Sequence, residues 1–214
     1  MSRITKITLT VLIALSLTLS GIILFANQPQ INQPLKQKIF MPPMPTPTLT
    51  PTPTVNTTSQ SSPDGTIELK LQTKIISDTQ TNYALSIKNN QQQTEQLIYT
   101  QAYTNSTKII LPFNTFSPDH QYFYVIEQTG LPIQLPNNYL VFQSSGESFA
   151  ETQFLNVTTY FIEKEVPFEL DEVTSWAAPG LLLINTKQPN NNERGPSYWF
   201  EVYHPNFIQL STRF

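Results

Sequence analysis

From Ile67 to Ile75 apolar and polar positions alternate, with Ile67, Leu69, Leu71 and Ile75 on one side and Glu68, Lys70, Gln72 and Lys74 on the other. A period of two predicts a β-strand with one face in water. Tyr83, Leu85 and Ile87 repeat the pattern after a turn at residues 77–81, so these runs predict a hairpin. Further strands are expected at 96–103, 108–113, 121–127, 138–143, 181–186, 197–203 and 207–212. The runs 122–126 and 139–142 are apolar at every position, as in a sheet covered on both faces. So are 181–184 and most of 198–203. Residues 148–164 send two signals. Phe154, Val157 and Phe161 have helical spacing, whereas Val157-Thr158-Thr159 is β-branched and argues for a strand. The class that follows is mainly β.

The N-terminal part obeys neither period. Ile7 to Ala26 is twenty residues without charge or proline, about 30 Å as a helix, which matches the hydrocarbon thickness of a bilayer. A cleavable signal peptide is the rival, but the run exceeds a usual apolar region and Leu24-Phe25-Ala26 is a poor cleavage site. Arg3 and Lys6 favour a cytoplasmic N-terminus, with Lys36 and Lys38 weakening the bias. Six of the thirteen residues from Pro42 to Thr54 are proline, alternating mostly with Thr. Proline fixes φ and removes donors, so this piece prefers polyproline II and builds no core. The expected organisation is a cytoplasmic stub (1–6), a transmembrane helix (7–26), a disordered Pro/Thr-rich linker (27–62) and an extracytoplasmic β domain (63–214). The expected location is the cell membrane, crossed once. Absence of cysteine, where exported animal domains usually carry pairs, points to a bacterial envelope.

Aligning the turns exposes a repeat. Ser62-Pro63-Asp64-Gly65 opens one unit, Ser117-Pro118-Asp119-His120 a second, and Ser175-Trp176-Ala177-Ala178-Pro179-Gly180 a degenerate third, at spacings of 55 and 61 residues between the prolines. Such periods point to propeller blades or a related array of stacked sheets. At these residues the chain resembles the TolB-like and WD40-like β-propeller repeats, whose blades open with an aromatic-Ser-Pro-Asp-Gly turn. Phe116-Ser117-Pro118-Asp119 keeps that turn with His120 in place of glycine. The resemblance implies a partial β-propeller-like array of antiparallel sheets, and no activity. The whole chain also resembles single-span bacterial envelope proteins with the same anchor, Pro/Thr linker and β domain. Three units fall short of the four to eight blades that close a ring. The sheets then form an open row, or a homodimer brings three units to six. An Ig-like β-sandwich is the alternative fold.

Charge and chemistry narrow the function. The chain carries 12 basic and 15 acidic residues, a net charge of −3. Residues 1–63 hold four bases and no acid, so residues 64–214 stand at −7. Such a domain repels phosphate backbones, and nucleic acid is not an expected partner. No thiol chemistry is available, and no nucleophile elbow or phosphate loop occurs. His120 and His204 lack the further ligands a zinc site requires, so no metal or cofactor is expected. Glu163, Glu165, Glu169, Asp171 and Glu172 form the one acidic cluster, and a solvated face explains it more simply than acid–base work. On the strand at 198–203, Trp199 and Tyr203 share a face with Glu201 and are the candidate binding residues, a platform for a glycan or protein. The expectation is a non-catalytic binding or scaffolding module of the cell envelope. The alternative is a wall- or glycan-processing hydrolase using the carboxylates of 163–172.

Overall fold

Twelve strands and one short helix account for the regular structure in the computed structural model, which describes residues 54–104, 106–130, 136–191 and 193–211. The first sheet contains β1 (Val55–Ser61), β2 (Ile67–Ser77), β3 (Gln80–Asn89) and β4 (Thr94–Thr104). The second contains β5 (Thr107–Ile110), β6 (Tyr122–Thr129), β7 (Asn138–Gln143) and β8 (Leu155–Asn156). Helix α1 (Val157–Glu163) follows, and the third sheet contains β9 (Glu169–Ala178), β10 (Leu181–Lys187), β11 (Tyr198–Glu201) and β12 (Asn206–Gln209). Each sheet is antiparallel with its strands in chain order. The two-sheet Ig-like sandwich is therefore corrected to three four-stranded meanders. The candidate membrane segment and the linker as far as residue 53 lie outside the described residues.

Stacking follows from the side-chain alternation. In the middle sheet Phe123, Val125, Leu140 and Phe142 pack with Leu69, Leu71, Leu85 and Tyr99 of the first sheet. Tyr122, Tyr124, Tyr139 and Val141 point the other way, into a cluster with Val173, Trp176, Leu182, Ile184 and Phe200 of the third. The middle sheet is thus covered on both faces, which is why its strands are apolar at every position. Phe123 stacks on Phe142 at 5.3 Å between ring centroids. The Tyr103 hydroxyl donates to Glu127 at 2.7 Å, tying β4 to β6.

Burial also sets the tyrosine chemistry. Desolvation pushes the Tyr124 phenol up to about 12, and burial raises Tyr83, Tyr99 and Tyr139 as well. A phenol whose pKa is raised on folding stabilises the fold fully below its unfolded value of ~10, and that stability is lost as pH rises through the folded value. The tyrosine contribution should therefore be level up to about pH 10 and fall above it. Equilibrium unfolding followed across alkaline pH, with phenolate absorbance recorded in parallel, checks this.

Several elements depart from expectation. Seven of the last eight residues of the expected linker, Val55–Ser61, are strand β1, paired to β2 from Val55↔Lys74 to Ser61↔Glu68. Their Thr, Ser and Asn residues give no apolar period, because an edge strand needs backbone partners and no core face. Residues 157–163 are helical despite the β-branched run. The Asn156 side chain caps the helix by accepting from the Thr159 amide at 3.1 Å. Glu169–Ala178, expected as an acidic face leading into a turn, is a ten-residue strand. Register shifts against β10 at three points bury Leu170, Val173 and Trp176, a spacing of three that hides the strand period.

Candidate functional site

The repeated turns are the same structure built twice. In the first, Ser62 Oγ donates to Asp64 Oδ1 at 2.6 Å and accepts from the Ile67 amide at 3.0 Å. In the second, Ser117 Oγ donates to Asp119 Oδ1 at 2.6 Å and accepts from the Tyr122 amide at 3.0 Å. Both fourth positions are left-handed, Gly65 at φ 71° and His120 at φ 57°. Glycine adopts that region freely and histidine does so at a cost. The cost is offset in part because His120 Nδ1 lies 3.1 Å from Asp64 Oδ2, joining one turn to the other. The Ser62 hydroxyl foremost, then the Thr66 amide, holds the Asp64 carboxyl well below the usual carboxylate range, with His120 adding to the effect. The third unit differs: Ser175–Ala178 belong to β9, and Pro179-Gly180 alone make the turn.

A groove of about 440 Å³ opens where the three units meet. Gln60 and Pro63 from the first unit, Phe113 to Pro118 from the second, and Ser175 and Trp176 from the third line it, without a charged residue. The loop between β5 and β6 is held firmly. The Gln60 amide donates to Pro112 O at 2.9 Å, Thr115 Oγ1 donates to the same carbonyl at 2.5 Å, and Trp176 Nε1 donates to Thr115 O at 3.0 Å. On this tied loop Phe113 is 95% exposed. An aromatic ring of that size left in water on a fixed backbone is a ready contact for an apolar partner.

A second pocket of about 610 Å³ lies beside α1. Phe161, Ile162, Val166, Phe168 and Leu170 line it together with Glu169, Asp171 and Lys187. Of the five clustered acids, Glu169 and Asp171 reach it. Glu169 lies 3.5 Å from Lys187, and Glu172 accepts from Asn185 at 3.4 Å. Glu163 ends the helix and Glu165 sits in the turn beyond it at φ 51°. Among the described residues no group of acids and histidines is arranged to hold a metal ion.

Comparison with protein-family models, with curated proteins and with solved structures gives no match. The functional reading therefore rests on the residues themselves. Trp199 lies on the outward face of the third sheet, between Leu183 on β10 and Ile208 on β12. Tyr203 falls beyond the end of β11, where its ring meets Tyr122 edge-on at 5.6 Å and lies against Gly180. The expected aromatic platform is thus divided, because the strand ends at Glu201 and the chain turns back after it. Sequence reasoning missed Phe113, which reads as the last apolar residue of a strand at 108–113, whereas β5 stops at Ile110.

Proposed function

We propose that the chain is a single-span envelope protein whose outer β domain is a non-catalytic binding or scaffolding module. In this reading Ile7–Ala26 is the anchor and the Pro/Thr-rich stretch is the tether. Among the described residues no helix is long and apolar enough to cross a membrane, and the anchor lies outside them. The three meanders are read as blades of an open, propeller-like array. Their strand order, the duplicated Ser-Pro-Asp turn and the meeting of all three units at one groove support it.

The observation that carries the binding function is Phe113, held out over a groove walled by Phe116 and Trp176. A neutral protein segment or glycan suits such a lining, since no charge there would be stripped of water. The tagged full chain, solubilised from its native envelope, should capture a partner that Phe113→Ser does not. Because the ring has almost no contact to lose, Phe113→Ser should leave folding stability within about 0.5 kcal/mol. Equal capture by both proteins would remove the groove from the proposal. Intact N-terminal peptide in the membrane fraction would support the anchor, and a soluble chain starting near Asn27 would refute it.

A hydrolase is the second reading, favoured by Glu169 and Asp171 sharing the pocket beside α1. It requires that envelope glycan be cleaved by the wild type and not by Glu169→Gln or Asp171→Asn.

A further inference from the structure

The groove where the three units meet combines aromatic rings with neutral polar groups. Phe113, Phe116 and Trp176 supply the rings, Pro63 and Pro118 add apolar surface, and no charged residue lines it. The Gln60 amide, the Thr115 hydroxyl and the Trp176 indole direct their hydrogen bonds to Pro112 O and Thr115 O. Three lining groups have no such engagement. Among the described residues the Asn114 amide and the Ser61 and Ser175 hydroxyls make no hydrogen bond to the protein, and none of them is closed off from solvent.

Such a lining suits a ligand with apolar rings and spare carbonyls. A proline-rich chain in polyproline II form is that ligand. The conformation has no internal hydrogen bonds, so its carbonyls are free to accept, and proline has no N–H to leave unpaired. Proline-rich segments dock in aromatic-lined grooves and, being already extended, lose little freedom on binding.

The chain carries one segment of this chemistry. Six of the thirteen residues from Pro42 to Thr54 are proline, and no charge falls between Lys38 and Asp64. An uncharged segment thus meets an uncharged groove, and no charge is stripped of water by the contact. Strand β1 leads from Val55 towards the groove at Gln60, about 17 Å at ~3.3 Å per residue. A stiff stretch feeding that strand would have to double back to fill the groove of its own copy, whereas a second copy needs no such bend. We propose that the groove takes up the Pro/Thr-rich stretch, residues 42–54, of a second copy of the chain in polyproline II form. The inference names the partner of the proposed binding site and rests on that reading.

Photo-crosslinking from the groove in the native envelope tests it. The full chain with Phe113→p-benzoylphenylalanine should give an adduct of twice the chain's mass. Mass spectrometry should place the second attachment within residues 41–54. Replacing the six prolines of this stretch by alanine should lower the yield about tenfold or more, with urea unfolding unchanged. An adduct with a different protein or with a glycan would overturn the inference and leave the groove a binding site. An adduct closed within one chain would overturn it as well. So would a yield indifferent to the alanine changes, or no adduct at all.

Discussion

Replacing Phe123 by alanine should destabilise the protein by about 3–5 kcal/mol, the range for deleting a fully buried phenylalanine. Its ring is completely buried, stacked on Phe142 and within 6.0 Å of Phe116. The middle sheet cannot collapse onto the space, because the opposite face of the same strand is pinned by Tyr122 and Tyr124 against the third sheet. A loss of that size is a large share of the ~5–15 kcal/mol that holds an ordinary domain together. Urea unfolding of the wild type and Phe123→Ala measures it. A cost near 1 kcal/mol would mean that the first and middle sheets are not packed as described.

Leu182 and Leu183 provide the second large effect, as a contrast between neighbours. Leu182 is fully buried between sheets, and Leu183 faces outward. Leu182→Ala should cost about 2–5 kcal/mol, and Leu183→Ala under about 1 kcal/mol. The same chemical change on adjacent residues separates the two faces of β10. Equal losses would show that the outward face is covered within one chain.

How much of this could be read in the sequence depended on how regular each element is. The alternation at 67–75 and the doubly apolar runs at 122–126 and 139–142 stated both the strands and their burial. The Ser-Pro-Asp turns announced themselves because their side chains do the folding locally. Strand β9 was hidden since its bulges bury residues three apart, a helical interval in an extended chain. Helix α1, two turns of largely β-branched sequence, was marked by little more than the Asn156 cap. Strand β1 was hidden by having no apolar face. The groove was beyond reach because its walls come from two turns and strand β9, some 55 to 60 residues apart, and only stacking brings them together. Trp199 and Tyr203 were grouped by counting along a strand that ends two residues too soon.

The double-sided middle sheet also sets an order of events during synthesis. When Thr104 completes β4, the first sheet has all its strands, yet the surface that covers Leu69, Leu71 and Leu85 has not been made. That surface arrives with Phe123, Leu140 and Phe142, about 40 residues later, roughly 2–8 s at ~5–20 residues per second. Until then the first sheet has its apolar side uncovered, and the middle sheet's Tyr122, Tyr124 and Val141 wait in turn for Leu182 and Phe200. The third sheet never waits, for the middle sheet is finished before β9 begins.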